Sequence, residues 1–332
     1  HQPMISFIIS LLIITGGIGF LVILDIIKHK RWQKFTLHTK VMVLGTLALN
    51  IIGCILYWLL ERHNAKTIGG LSEAGQWFAS WFMAVAPRTA GFNNIDVEYA
   101  RQQNIDVTNT PHASTNATAD LTIGLILSVA RRIVEGDHLS RTTGFDGWAP
   151  LFFRGREVSG KTIGIIGLGE IGGAVAKRAR AFDMDVLYTG PHRKEEKERD
   201  IGAKYVDLDT LLKNADFITI NAAYNPSLHH MIDTEQFNKM KSTAYLINAG
   251  RGPIVNEQAL VEALDNKAIE GAALDVYEFE PEITDALKSF KNIVLTPHIG
   301  NATFEARDMM AKIVANDTIK KLNGDEPQFI VN

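Results

Sequence analysis

Two long apolar runs stand near the start of the chain, at residues 4–24 and 41–60, and neither contains a charged residue. An apolar helix of about 20 residues is long enough to cross the hydrocarbon core of a bilayer. The segment between the runs is basic, and basic loops of membrane proteins tend to face the cytoplasm. Its cations are Lys28, Lys30, Arg31, Lys34 and Lys40. This pattern predicts two spanning helices joined by a cytoplasmic loop, with buried core helices as the alternative.

A shorter apolar stretch rich in aromatic residues follows at residues 71–85. It is too short to span a bilayer, and irregular backbone at membrane depth is tolerated where it lines a pore. The stretch therefore predicts a re-entrant, pore-helix-like segment. It leads into residues 88–93, a polar segment with a glycine in its middle.

Residues 16–20, the basic loop through Lys40 and residues 88–93 resemble the Trk/Ktr family of bacterial potassium-uptake channels. The resemblance covers residues 1–93 and implies that its last segment is a selectivity-filter strand, whose carbonyls replace the water shell of the ion. That family encloses its pore with four such repeats, each completed by a further spanning helix. Charged residues follow directly here. We therefore expect a membrane segment that forms no ion path by itself.

The pattern changes from residue 161 onward to short apolar runs of strand length that alternate with helical stretches. The predicted strands are residues 161–166, 185–188, 217–220, 244–247, 271–274 and 293–295, with a helix beginning at Glu257. Such alternation is typical of a doubly wound α/β fold of the Rossmann type, in which ligands bind at the carboxyl ends of the strands. The predicted fold class is therefore an α/β domain preceded by the all-α transmembrane segment.

A glycine-rich loop follows the first of these strands. Its residues are Gly167, Leu168, Gly169, Glu170, Ile171 and Gly172. The pattern G-x-G-x-x-G between a strand and a helix predicts an NAD(P)-binding site. The first glycine permits a tight turn, the second lets the backbone approach a pyrophosphate, and the third lets the helix pack on the strand. The N-terminus of the helix supplies amide donors for the phosphates.

The end of the second strand indicates which nicotinamide coenzyme the site prefers. NAD-binding sites of this type place an acidic residue about 20 residues beyond the glycines, where it binds the ribose 2′-hydroxyl. Here Thr189 takes that place, and the cations Arg193 and Lys194 follow. Because cations attract a 2′-phosphate, the sequence predicts NADP(H) in preference to NAD(H). The alternative is that these cations are only solvated loop charges.

Three further polar residues, Arg251, Glu280 and His298, each follow a predicted strand. A histidine exchanges protons near neutral pH, and a neighbouring carboxylate orients it and favours its charged form. A guanidinium binds a carboxylate through two parallel hydrogen bonds. This set predicts proton and hydride transfer on a 2-hydroxy acid. No residue cluster in the sequence has metal-ligand spacing, so no metal is expected.

Residues 90–332 are similar to the D-isomer-specific 2-hydroxyacid dehydrogenases, above all to the glyoxylate and hydroxypyruvate reductases. The matching segments are residues 167–172, 248–253, 271–281 and 297–303. The resemblance implies a reductase that typically uses NADPH. It also implies that Arg251 anchors the substrate, that His298 is the acid/base and that Glu280 is the partner of His298.

The same resemblance implies roles for other parts of the chain. Asp275 matches a carboxylate near the nicotinamide amide, and Ala90 and Gly91 match a loop whose backbone amides hold the substrate carboxylate. A helix predicted at residues 117–134 matches an arm used for homodimer contacts. A helix predicted at residues 304–322 matches the return to the substrate domain.

The two resemblances divide the chain into a membrane fragment, residues 1–93, and two dehydrogenase parts. Residues 94–110, with a predicted strand at 105–107, and residues 299–332 are a remnant of the substrate domain, and residues 111–298 are the coenzyme-binding domain. Residues 90–93 belong to both resemblances, so we expect a chimera joined there, with reductase activity impaired by loss of the first domain. We expect the dehydrogenase part in the cytoplasm, held at the membrane if the first segment is retained.

Composition narrows the function classes. The chain has 332 residues, which is enough for two domains, and a net charge of -3, which offers no basic excess for nucleic acid. Its single cysteine, Cys54, excludes an internal disulfide. Two alternatives stay open: a potassium-uptake fragment with a nucleotide-sensing regulatory domain, and a non-catalytic nucleotide-binding protein at the membrane. Neither alternative requires the set of Arg251, Glu280 and His298.

Overall fold

The computed structural model describes residues 28, 35–61, 97–102 and 105–332. The chain divides into two compact units. One unit contains residues 1–109 and 327–332, and the other contains residues 110–326.

The first unit contains helix α1, Leu37–Glu61, and the short helix α2, Val97–Gln102. No helix in the described part of the chain is long and apolar enough to cross a membrane. The predicted span at residues 41–60 is therefore not supported, although the segment is helical. That prediction rested on the length of the run, its lack of charged residues and the basic segment beside it; α1 also contains a buried polar residue, Asn50.

The remaining membrane predictions fall on residues 4–24, 71–85 and 88–93, which lie outside the described residues. The same holds for Ala90 and Gly91, the predicted substrate-binding loop. These interpretations stay predictions.

Residues 105–107 do not form the predicted strand, and they bond to the C-terminal tail instead. The backbone N–H of Val107 donates to Oδ1 of Asn332, and the N–H of Val331 donates to the Val107 carbonyl, both at 2.8 Å. Thr108 and Ile330 add one isolated antiparallel bridge. The strand prediction is wrong because the N–H of Val107 bonds the side-chain amide of Asn332, whereas a strand pairs with the backbone of its neighbour.

A parallel sheet of seven strands forms the centre of the second unit. The strands are β1 Thr162–Ile166, β2 Asp185–Thr189, β3 Ala203–Tyr205, β4 Phe217–Ile220, β5 Tyr245–Asn248, β6 Gly271–Leu274 and β7 Ile293–Leu295. They lie in the order β3-β2-β1-β4-β5-β6-β7, and all pairs are parallel. The predicted α/β fold of the Rossmann type is confirmed. Its strand order reverses between β1 and β4, the point where such folds bind ligands.

Helices precede, separate and follow these strands along the chain. They are α3 Thr115–Ala130, α4 Ile133–Arg141, α5 Glu170–Arg180, α6 Glu195–Ile201, α7 Leu208–Asn214, α8 Thr234–Lys239, α9 Glu257–Asp265 and α10 Phe304–Leu322. Successive side chains of a strand point to opposite faces. Accordingly, Leu246 of β5 belongs to one apolar core and Ile247 to the other. Both faces are covered, which explains why the central strands are apolar throughout.

The helix predicted at residues 117–134 is two helices. α3 ends at Ala130 and α4 begins at Ile133, because Arg132 between them takes the left-handed conformation with φ of 54°. The guanidinium of Arg132 bonds both carboxylate oxygens of Glu135, at 2.8 and 2.7 Å, and lies 4.1 Å from the ring centre of Phe153. These contacts hold the break between α3 and α4.

Candidate active site

The carboxyl ends of neighbouring strands bring the predicted site residues to one edge of the sheet. The glycine loop follows β1, and Arg251, Glu280 and His298 follow β5, β6 and β7. All strands of a parallel sheet end at the same edge, so residues far apart in sequence meet there.

Each glycine of the loop has a distinct physical role. Gly167 has a φ of +97°, and a Cβ on it would lie 2.9 Å from the backbone of Ala222. A Cβ on Gly172, in the first turn of α5, would lie 2.1 Å from the Gly167 carbonyl oxygen. A Cβ on Gly169 would meet no atom within 4 Å. Gly167 and Gly172 are therefore required by packing, whereas Gly169 borders open space in front of α5.

The other loop residues divide between core and solvent. Leu168 is buried, so only its backbone can face a ligand, and Ile171 is partly buried against the same core. Glu170 is exposed, and its carboxylate lies 3.5 Å from Nδ1 of His112 and 4.0 Å from Nζ of Lys197.

The loop and its surroundings fit the diphosphate of a dinucleotide. The open space beside Gly169 faces the first turn of α5, whose free amides favour anions. At the end of β4, the Nδ2 atom of Asn221 is buried and has no hydrogen-bond partner among the described atoms. Asn221 adjoins the loop, because its backbone N–H donates to the Ile166 carbonyl at 2.9 Å. A buried, unpaired donor beside a glycine cradle is what a missing polar ligand would leave.

The cations after β2 are partly engaged by the protein itself. The guanidinium of Arg193 bonds both oxygens of Glu198, each at 2.9 Å. The hydroxyl of Tyr188 donates to the same carboxylate at 2.6 Å. These bonds, that of Arg193 above all, lower the pKa of Glu198 to about 2, so the ion pair persists as pH falls and is lost only near pH 2. Lys194 has no ion-pair partner among the described residues, and Thr189 ends the strand without a carboxylate.

His298 and Glu280 form a hydrogen-bonded pair. Nδ1 of His298 lies 2.8 Å from Oε2 of Glu280, and the other oxygen, Oε1, accepts the backbone N–H of Tyr277 at 3.0 Å. The carboxylate is thus held by the chain and in turn holds the ring. Within the described residues no hydrogen bond reaches Nε2, and the His298 side chain is 47% exposed, so Nε2 is accessible to a ligand.

Asp275 fixes the turn that carries His298. Its side chain is 1% exposed, and its two oxygens accept the backbone N–H groups of Ile299 and Gly300, each at 2.8 Å. The hydroxyl of Thr296 donates to it at 2.6 Å. His298 itself takes φ of +53°, a conformation that this network holds in place. The carboxylate predicted to contact the nicotinamide amide is therefore engaged in shaping the histidine turn.

The loop of Arg251 is held by Asn248, which opens the predicted segment 248–253 but is not among the predicted site residues. Oδ1 of Asn248 accepts the N–H of Gly250, and its Nδ2 donates to the Arg251 carbonyl, both at 3.1 Å. Asn248 is 1% exposed at the end of β5. An asparagine that closes an otherwise apolar strand is the signal that could have revealed it. The Arg251 guanidinium is exposed and bonds the Gly250 carbonyl at 2.8 Å.

Gly252 and Tyr277 join this loop to the segment of Glu280. A Cβ on Gly252 would lie 1.8 Å from the Tyr277 carbonyl oxygen, so only glycine permits the contact. The Tyr277 hydroxyl donates to the Thr296 carbonyl, ahead of His298, at 2.8 Å. Burial raises the pKa of Tyr277 to about 12, which keeps this hydroxyl protonated as a donor. Tyr277 thus connects the segments of Arg251, Glu280 and His298.

The chain is similar to known dehydrogenases over most of its length. The family described as "D-isomer specific 2-hydroxyacid dehydrogenase, NAD binding domain" matches residues 123–300. A relative from Staphylococcus epidermidis is described as a 2-hydroxyacid dehydrogenase. It is 98% identical to this chain over 248 residues, which are 75% of this chain and 78% of the relative.

Two solved structures extend the comparison. A glyoxylate reductase from Paecilomyes thermophila is 37% identical with a TM-score of 0.67 over 73% of both chains. A D-lactate dehydrogenase with NAD+ from Lactobacillus jensenii is 33% identical with a TM-score of 0.65, over 73% of this chain and 76% of that one. These comparisons lend no support to a potassium-transporter segment over residues 1–93.

Proposed function

Because the chain belongs to the D-isomer-specific 2-hydroxyacid dehydrogenases, we propose that it reduces a short 2-oxo acid such as glyoxylate or hydroxypyruvate. The observation that carries this proposal is the His298–Glu280 pair with an accessible Nε2, at the sheet edge that also holds the glycine loop. A regulatory nucleotide sensor would need the glycine loop but not this acid/base pair.

The chain's own residues account for the proton and for substrate orientation. When bound, the nicotinamide coenzyme supplies the hydride. Glu280 holds Nδ1–H of His298, so Nε2 is the nitrogen that gives a proton to the oxygen of the reduced carbonyl. The carboxylate also stabilises the imidazolium from which that proton leaves. Arg251, exposed at the same edge, can bind the substrate carboxylate through its planar fork.

The direct test is turnover by the purified chain. Reduced coenzyme is mixed with glyoxylate, hydroxypyruvate or glycolaldehyde, and its oxidation is followed by absorbance. We expect reduction of the two acids and little reduction of glycolaldehyde, which lacks the carboxylate for Arg251. Coenzyme binding without reduction of any 2-oxo acid would instead favour the nucleotide-binding alternative.

We also propose that residues 111–298 form the coenzyme-binding domain and that residues 94–110 and 299–332 belong to the substrate domain. The glycine loop and the Arg251 and Glu280 segments all lie within the first of these ranges. Hydrogen exchange tests this domain division, because added coenzyme should slow exchange mainly within residues 111–298. Protection concentrated outside this range would contradict the division.

For the coenzyme, we propose a preference for NADP(H) that Glu198 restrains. Thr189 carries no charge to repel a 2′-phosphate, and Lys194 is available, but Arg193 is engaged by Glu198. Replacing Glu198 with glutamine removes the charge that holds the guanidinium. We expect KM for NADPH to fall about tenfold, the scale of one charge-assisted hydrogen bond, with KM for NADH nearly unchanged.

Glu196, exposed on the same helix α6, provides the matched control. Glu196→Gln removes the same charge from the same neighbourhood without touching Arg193, and it should leave both KM values within about twofold. Equal changes in the two variants would show a general field effect, and unchanged NADPH kinetics in Glu198→Gln would contradict the proposed role of Arg193.

We further propose that the chain forms a homodimer through the arm around α4. This arm exposes apolar side chains that a monomer leaves in water: Ile133, Val134, Phe145, Trp148, Leu151 and Phe152. Exposed apolar patches of this kind mark protein interfaces. Sedimentation velocity measures the state directly, and a monomer at micromolar concentration would contradict the proposal.

A further inference from the structure

We propose that His229, His230 and Glu278 form a binding site for a divalent cation of the zinc type. Each residue offers one ligand atom, and these atoms all lie within 4.8 Å of one another. The histidines follow β4 and the glutamate follows β6, so the two segments meet only in the folded chain. Sequence spacing could not reveal this cluster.

The ligand set matches zinc chemistry. Two imidazoles and one carboxylate leave a fourth position for water, which is a common zinc arrangement. Nε2 of His230 lies 2.6 Å from Oε1 of Glu278, and the two imidazole rings stack with centres 3.9 Å apart. A cation that enters between His230 and Glu278 replaces their mutual hydrogen bond. His229 is exposed, so its ring can turn to complete the set.

The surrounding contacts hold the ligands in the manner of metal sites, where outer partners orient the first ligands. Oε2 of Glu278 accepts the backbone N–H of Glu257 at 3.1 Å, and the Glu278 N–H donates to Oε1 of Glu257 at 2.7 Å. The Tyr224 hydroxyl lies 3.4 Å from Nδ1 of His229. The backbone N–H of His230 donates to the Pro253 carbonyl at 2.9 Å.

The three side chains of the proposed site differ in their exposure to solvent. Exposure falls from His229 through His230, at 29%, to Glu278, at 10%. A carboxylate that is nearly buried beside two imidazoles favours a cation. Once bound, the cation joins the segment after β4 to the one that reaches Glu280 two residues later. The cation would stabilise the contact between these two loops, and this structural role would not require the proposed reduction.

The test is a calorimetric titration of the full chain with Zn²⁺ alone. We expect one ion per chain in the wild type and an affinity at least about tenfold weaker in His229→Ala, which loses a ligand. His229 is exposed, so this variant should fold normally. The control is His138→Ala, an exposed histidine on α4, which should bind like the wild type.

Two further measurements keep the proposal falsifiable. Co²⁺ should give visible absorption bands in the wild type that weaken in His229→Ala, and Zn²⁺ should raise the melting temperature of the wild type by more than that of His229→Ala. His298→Asn should retain Zn²⁺ binding, because the acid/base pair is separate. Absence of binding, equal binding by His229→Ala and wild type, or binding lost in His298→Asn would overturn the proposal.

Discussion

Replacement of His298 by asparagine is expected to lower kcat for reduction of a 2-oxo acid by about 10²- to 10⁴-fold, the range that a positioned general acid contributes. Nε2 of His298 is the accessible nitrogen of the pair, and Glu280 holds the other nitrogen at 2.8 Å. Asparagine is chosen because it tolerates the left-handed backbone of this position, where φ is +53°. The measurement is steady-state turnover at saturating substrate.

Two readouts separate a catalytic role from a structural one. Binding of reduced coenzyme, followed by its fluorescence, should be unchanged, because the glycine loop lies after β1 rather than β7. His138→Asn, at an exposed position on α4, should retain the kcat of the wild type. A loss below tenfold in His298→Asn would show that another group delivers the proton.

Replacement of Gly252 by alanine is expected to destabilise the fold by about 3 kcal/mol, at the upper end of overpacking effects. The added Cβ would lie 1.8 Å from the Tyr277 carbonyl oxygen and 1.9 Å from its carbon. Both atoms are backbone, so no side chain can rotate out of the way. The free energy of unfolding, measured by urea denaturation, should fall by this amount.

The same substitution should also lower activity in the protein that stays folded. Gly252 stands next to Arg251, and Tyr277 bonds Glu280 through its N–H at 3.0 Å, so a shift here moves two site residues. Gly124→Ala in α3 is the matched control, because its Cβ meets no atom within 4 Å. Alanine favours a helix over glycine, so that variant should be as stable as the wild type or up to about 1 kcal/mol more stable. Equal stability of Gly252→Ala and wild type would show that the Arg251 loop has room to move.

The local pattern of the chain was sufficient for the main elements of the α/β unit. Strands β4, β6 and β7 and helix α10 have the bounds that their apolar runs predict. Strand β3 was missed because it has three residues, two of them exposed. The helix at residues 117–134 was predicted unbroken because nothing in its pattern marks the left-handed Arg132. The spacing of apolar residues indicates which face of an element is buried. It does not indicate a single residue in the left-handed conformation, such as Arg132.

The membrane prediction shows another limit of local patterns. Residues 41–60 are helical, as their apolar run predicts, but the described residues contain no helix fit to span a membrane. The prediction rested on the length of the run, its lack of charged residues and the basic segment beside it, and these features do not distinguish a spanning helix from another apolar helix.

The sequence alone determined the α/β class of the second unit, the glycine loop and the identity of Arg251, Glu280 and His298 as polar residues that follow strands. These features depend on residues that are neighbours along the chain. Only the tertiary structure decided which of them touch. Glu280 and His298 are 18 residues apart, and His230 and Glu278 are 48 apart. Whether such residues meet depends on strand order and loop course, which follow from packing of the whole sheet rather than from any local pattern.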